Sequence, residues 1–249
     1  MKEYRFDPEA KRDHLIENLR EYAKKSGFDK VIIGISGGKD STVSAALCAR
    51  AFGPDHVYGV MLPDGEQADI ADSRLVCESL GINSKVVNIG EIHKSLLRAV
   101  HEESVGFTSP EDRESNINVG PRLRMTVLRY IGQAIGARLV GTGNLSEATV
   151  GYCTKDGDTS CDFSLMGSMT SVEVVQVGLT MEEIPRHLVL KAPSDGLSGK
   201  TDEERLGVTY QQIHDFIRLG SSGDEQTDAV IAKKKENSRH KRERAVVIE

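Results

Sequence analysis

A chain of 249 residues with 38% hydrophobic and 28% charged content has the size and apolar share of one ordinary globular α/β domain. No run of about 18 apolar residues occurs, and the opening MKEYRFDPEAKRDH is charged where a secretory leader is apolar; the sequence predicts neither a membrane span nor export, and a cytoplasmic location. A net charge of −6 makes a general nucleic-acid binder unlikely, and only KKKENSRHKRER, residues 233–244, gathers seven Lys or Arg against two Glu, as a solvated tail or an anion-binding segment would.

Residues 8–25 place Leu15, Ile16, Leu19 and Tyr22 at helical spacing and predict a covering helix. KVIIGIS, residues 30–36, is a short β-branched run that stops at Gly37-Gly38, as a buried parallel strand does. A helix rich in Ala, Leu and Val starts at Asp40 and Ser41 and runs to about Phe52. HVYGVML (56–62) is strand-like, residues 67–80 are helical and SKVVNI (84–89) is again strand-like. A long helical pattern over 117–135 leads to a fourth strand, RLVGTG (138–143), and HLVLKAP (187–193) is expected to supply a fifth. Residues 154–201 are rich in Gly, Ser, Thr and Asp and predict loops with short helices. Strands separated by helix-length segments imply right-handed βαβ units. The expected architecture is a doubly wound, Rossmann-like parallel sheet of about five strands with helices on both faces, one domain over 1–249 with a basic tail from about 233.

The four cysteines form no CxxC pair, so reduced thiols are expected. Cys48 and Cys77 fall in apolar helical stretches and are expected in the core; Cys153 and Cys161 lie in a polar region without a visible activating partner.

Ligands of open parallel sheets bind beyond the carboxyl ends of the strands. Three unusual loops occupy that edge: SGGKDS (36–41), LPDGEQ (62–67) and GTGNLSE (141–147). SGGKDS joins a strand to a helix, so its backbone N–H groups and the helix dipole face the edge, as phosphate binding requires. It is not a Walker A loop, because Gly38-Lys39 is followed by Asp40. Asp40 and Glu147 reach the same edge from separate loops, and paired carboxylates beside phosphates are the donor set magnesium prefers.

SGGxDS after the first strand resembles the pyrophosphate loop of the N-type ATP pyrophosphatases, which split ATP into AMP and pyrophosphate. NVGPRLRM (118–125), GTGNLSE, VGYCTKDGD (150–158) with Asp162, KAPSDGLSGKTDEERLG (191–207) and the late His240-Lys241 occur in the order found in the ammonia-dependent NAD synthetases of that group. The resemblance implies an ATP site at Gly34, Ile35, Ser36, Gly37, Gly38, Lys39, Asp40 and Ser41, with Gln67, Thr142, Ser171 and Ser194. It implies deamido-NAD contacts at Arg122, Lys155, Asp162, His240 and Lys241, and Mg2+ on Asp40 and Glu147. It also implies a homodimer that makes NAD from deamido-NAD, ATP and ammonia through an acyl adenylate. Too few residues precede Lys30 for a glutaminase, so free ammonia or a separate glutaminase is expected to supply nitrogen.

The chain departs from the family pattern in places. Ser171 stands where a lysine is usual, Leu145 where TGNKSE has lysine, and Ser194 where a threonine is usual. Lys191 and Lys200 are candidate lysines to replace the charge missing at Ser171. Two alternatives on the same fold are a tRNA sulfurtransferase, which would use a cysteine and the basic tail, and a nucleotide-binding module without turnover.

Overall fold

The computed structural model describes residues 4–67, 70–103, 107–109, 112–192, 201–243 and 247–248. Helix α1 (Pro8–Ser26) is capped by Asp7, whose carboxylate accepts from the Ala10 N–H at 3.0 Å, and it buries Ile16, Leu19 and Ala23. The strands β1 (Val31–Gly34), β2 (Val57–Met61) and β3 (Asn83–Val86) alternate with α2 (Lys39–Phe52) and α3 (Ile70–Leu80). Two longer helices follow, α4 (Gly90–Glu103) and α5 (Arg113–Ile135), then β4 (Arg138–Gly141), α6 (Leu145–Val150) and β5 (Phe163–Ser164). The chain ends with α7 (Ser171–Gly178), α8 (Arg186–Leu190), α9 (Asp202–Leu206), α10 (Tyr210–Leu219) and α11 (Glu225–Asn237).

The five strands are parallel in the order β3-β2-β1-β4-β5, with Val31 opposite both Val57 and Arg138. Side chains along β1 alternate between two buried faces, as the two-residue period of a strand demands. Val31, Ile33 and Ile35 join a core layer with Val43, Leu47, Cys48, Cys77, Val174 and Val189, whereas Ile32 joins Leu128 and Leu139 on the opposite face beneath α5. A third apolar cluster, Val150, Leu206, Tyr210, Ile213 and Ile231, holds the last three helices against α6.

The fifth strand is not where the sequence pattern places it. Residues 187–193 predict a strand, but Arg186–Leu190 forms α8, and the fifth strand is the two-residue Phe163–Ser164 beside β4. A short apolar run satisfies helix and strand equally; here Pro185 precedes it and accepts from the Leu188 N–H at 3.0 Å, and Leu188 and Val189 face the helix layer. The long helix begins earlier than 117, because Asp112 caps it by accepting from the Ser115 N–H at 3.1 Å. Among the described residues, α3 begins at Ile70 rather than 67.

The basic segment is not a solvated tail. After α11 the chain makes a 3-10 turn over Arg239–Lys241. The Lys241 ammonium donates to the Gly151 and Cys153 carbonyls at 2.9 and 2.6 Å, and Arg242 donates to the Ala148 carbonyl at 2.8 Å. Gly151, at φ 70°, closes α6 where a Cβ would lie 2.0 Å from that of Ser238, so only glycine admits the segment this close. Its cations satisfy the carbonyls left free at the end of α6.

Among the described residues no helix is long and apolar enough to cross a membrane.

A candidate ATP and metal site at the switch point of the sheet

From β1 the chain builds outward through β2 to β3 and then returns to the other side of β1 for β4. The order therefore reverses between β1 and β4, and loops leaving the two strands diverge there to open a crevice. SGGKDS leaves β1 and GTGNLSE leaves β4, so the topology alone brings Asp40 and Glu147 to one place.

Asn144 joins them. This residue is fully buried; its Nδ2 donates to Asp40 Oδ1 at 3.0 Å, its Oδ1 accepts from the Glu147 N–H at 3.1 Å, and its own N–H donates to Glu147 Oε2 at 2.9 Å. The last two bonds are a capping box that starts α6. One asparagine thus caps a helix and fixes the carboxylates of both loops. It lies inside GTGNLSE, where a pattern of acidic residues gives no hint of its bridging role.

The SGGKDS loop is built by its hydroxyls. Ser41 Oγ accepts from the Ser36 N–H at 3.2 Å and donates to the Gly38 carbonyl at 3.1 Å, while Ser36 Oγ accepts from the Gly38 N–H at 3.3 Å. Gly37 has φ 78° and sits against α3, where an added Cβ would meet Asp72 Cβ at 2.9 Å. Gly34 ends β1 and the Ile35 side chain is buried in the core, so these two can offer the crevice only backbone. Whereas α6 and α7 begin with capping boxes, among the described residues no side chain caps α2 at Gly38. Its first N–H groups are left for an anion.

The electrostatics call for a cation. Burial is the largest influence on Glu147 and the Asp40 carboxylate the next, and together they push its carboxyl up to about 8 despite the nearby Lys39 ammonium. Lys39 is buried and donates to Asp40 Oδ2 at 2.8 Å. Burial opposes its charge, but Asp40, Glu147 and Asp202 outweigh burial and hold it as an ammonium. Among the described residues no group of three or more His, Cys, Asp or Glu forms a complete metal cage. Two carboxylates beside an uncapped helix end are a donor set that would suit magnesium, which binds through one or two carboxylates with water and phosphates.

The other expected residues distribute around this centre. Thr142 lies in the loop after β4, and Gln67 ends the loop that leads to α3. Ser171 opens α7 as a buried residue whose N–H donates to Ser146 Oγ at 3.1 Å, beside Glu147. Lys191 pairs with Asp72 at 2.6 Å, on the α3 side of Gly37. Ser194 and Lys200 lie outside the described residues. Arg122 and Lys155 meet, the guanidinium donating to the Lys155 carbonyl at 3.3 Å, and both side chains are exposed. Asp162 is bound to Arg129 and accepts from the Leu139 N–H at 2.7 Å, and with Lys241 closed on two carbonyls, two of the expected dinucleotide contacts are engaged within the chain. His240 lies in the 3-10 turn beside it, exposed.

Residues that sequence patterns pass over complete the wall. Arg124 donates to the Leu62 carbonyl at 3.0 Å; burial lowers its affinity for a proton, against the pull of Asp64 and Asp158. Asp64 meets His93 at 2.5 Å. Tyr152 and Tyr210 donate to the two oxygens of Asp202 at 3.1 and 3.2 Å, and the Lys39 ammonium lies 5.2 Å from the Tyr210 ring centre. Asp64, Tyr152 and Asp202 lie inside motifs quoted from the sequence, but no sequence pattern marks the contacts they make.

The Glu147 shift has a measurable consequence. Its folded carboxyl, raised from 4.5 to about 8, holds a proton that the unfolded chain releases above 4.5. Its contribution to stability is therefore complete below pH 4.5 and is lost as pH rises through 8. The ligand-free protein is predicted to lose melting temperature over this window relative to Glu147→Gln, which keeps the shape without the charge. Thermal melts of both proteins from pH 5 to 8.5 that run parallel would contradict the assignment.

Comparison with known proteins accords with this geometry. The NAD synthase family model matches residues 12–247. An NH3-dependent NAD+ synthetase of Archaeoglobus fulgidus is 34% identical over 238 residues, which cover 93% of each chain. Among solved structures, an NMN synthetase from Francisella tularensis superposes with a TM-score of 0.89 at 29% identity, covering 98% of this chain and 99% of that one. An NH3-dependent NAD synthetase from Campylobacter jejuni superposes at 0.76 with 24% identity, over 98% of this chain and all of its own, and shows the shared fold. With nearly its whole length matched, the chain is a ligase that belongs to the NAD synthase family.

Proposed function

We propose that this chain amidates deamido-NAD with ammonia at the expense of ATP, and that Asp40 and Glu147 hold the Mg2+ that accompanies the nucleotide. The observation that carries the reading is the convergence of these carboxylates on Asn144 at the switch point, beside an uncapped helix end. The triphosphate enters at the α2 N-terminus, where Ser36 to Ser41 offer N–H and hydroxyl donors. The nicotinate carboxylate attacks the α-phosphorus; a P–O bond to that carboxylate forms as the bond to pyrophosphate breaks. A magnesium ion held by Asp40 and Glu147 would neutralise charge on the departing pyrophosphate. Ammonia then attacks the acyl carbon, the C–O bond to AMP breaks, and the nitrogen loses a proton to leave the amide. The protein's part is placement and charge compensation, and no side chain has to form a covalent intermediate. Arg122 and Lys155 line the side from which the acid arrives.

The sulfurtransferase alternative lacks its thiolate. Burial pushes Cys153 up to about 11 and raises Cys161 as well, whereas a reactive cysteine needs the opposite shift. A second reading of the substrate has specific support: the F. tularensis relative with TM-score 0.89 is an NMN synthetase, and Asp162 and Lys241 are already engaged. On that reading the acid is nicotinic acid mononucleotide.

The active form is a homodimer joined through α4 and α5. Ile92, Leu96 and Val100 form an exposed stripe at four-residue spacing on α4, and Tyr130 on α5 is 77% exposed. An apolar helix face of this kind suits a partner surface, and a second copy brings the same stripe.

Purified protein given ATP, Mg2+, ammonium and deamido-NAD is expected to yield NAD, AMP and pyrophosphate in equal amounts, with glutamine a poor replacement for ammonium. ADP as product, or AMP release that depends on tRNA, would overturn the reading; a kcat/KM higher for the mononucleotide than for deamido-NAD would decide for the second substrate. Sedimentation of the same preparation is expected to show a dimer, and a monomer at assay concentration would contradict the α4–α5 interface.

A further inference from the structure

Lys39 stands at N1 of α2, yet its side chain turns inward and is 4% exposed. Its ammonium is held between Asp40 Oδ2 at 2.8 Å and the Tyr210 ring at 5.2 Å. Tyr210 is itself fixed by Asp202, so the cation has a built wall behind it. Each Asp40 oxygen already accepts one hydrogen bond, Oδ1 from Asn144 and Oδ2 from Lys39. A divalent cation on Asp40 would use the remaining lone pairs beside these donors, and two cations a few ångströms apart in a desolvated crevice repel strongly. That repulsion favours displacement of the ammonium when the metal arrives. On the opposite wall Ser171 is neutral and its N–H is spent on Ser146, so the nucleotide's charge meets no cation from that residue.

We propose that Lys39 is an exchangeable counter-ion, paired with Asp40 in the empty site and transferred to the triphosphate when the metal and ATP enter together. This rests on the reading of Asp40 and Glu147 as the metal site. The long, flexible stem of lysine permits the transfer, and the first turn of α2 keeps the ammonium beside the N–H groups that receive the phosphates. One residue then does two opposite things. It opposes binding of a bare divalent cation, and it supports binding of the nucleotide. The protein accordingly takes up metal and ATP as a complex in preference to metal first.

The test separates the two effects. Mn2+ binding to the nucleotide-free protein is read by the loss of the free-ion signal in electron paramagnetic resonance, and ATP binding by calorimetry with KM alongside. Lys39→Met is expected to tighten Mn2+ binding about tenfold and to weaken ATP binding about tenfold, the size of one charge-assisted hydrogen bond in each direction. Lys39→Gln, which keeps a donor for Asp40 without the charge, is expected to shift both in the same senses and serves if the Met variant does not fold. A residue that merely supports the loop would weaken both ligands together, and that result, or unchanged Mn2+ binding, overturns the proposal. Wild-type protein that binds no Mn2+ even with ATP present would instead overturn the metal-site reading beneath it.

Discussion

The structure depends on a single constraint: two carboxylates from loops 104 residues apart in the chain are held on either side of one buried asparagine. Like charges do not gather in a desolvated crevice without compensation. Here Asn144 donates to Asp40 with its side chain and to Glu147 with its backbone, and the Lys39 ammonium pairs with Asp40. Burial first, and the Asp40 carboxylate second, raise the Glu147 carboxyl. The crevice is in this sense prepared for a cation.

Much of the remaining architecture serves that geometry. Reversal of strand order between β1 and β4 opens the crevice, and α6 fixes Glu147 because its first turn is the capping box of Asn144. Gly151 lets Ser238 approach the far end of α6, and Lys241 and Arg242 bind the carbonyls there. The basic segment therefore anchors the helix that carries an acidic ligand candidate. On the other side, Asp202 ties Tyr152 after α6 to Tyr210 on α10, and Tyr210 backs Lys39. The C-terminal helices reach the phosphate loop through these buried polar contacts.

The parallel sheet and the edge loops were legible in the sequence because they depend on local composition. The β-branched run over 30–36 marks a buried parallel strand, and the glycines of SGGKDS mark the turn that ends it. The fifth strand was not legible, since two residues carry no periodicity and the apolar run at Leu188 and Val189 suits a helix packed on the sheet. Lysine content left residues 233–244 open to a solvated or an anion-binding reading, whereas carbonyls near the end of α6 hold Lys241 and Arg242. The roles of Asn144, Arg124 and Tyr210 arise from contacts between segments far apart in the chain, for which a single sequence holds no signal. Family resemblance supplied positions for Asp162 and Lys241, but their partners within the chain were visible only in three dimensions.

The central claim, that the asparagine-linked carboxylates form a cation site for the incoming nucleotide, is tested most directly by crystallography. Crystals grown with Mn2+ and a non-hydrolysable ATP analogue would be measured for anomalous scattering. The account predicts an anomalous peak bonded to both Asp40 and Glu147, with the triphosphate at the first turn of α2. A peak that touches neither carboxylate while the nucleotide is bound would contradict it.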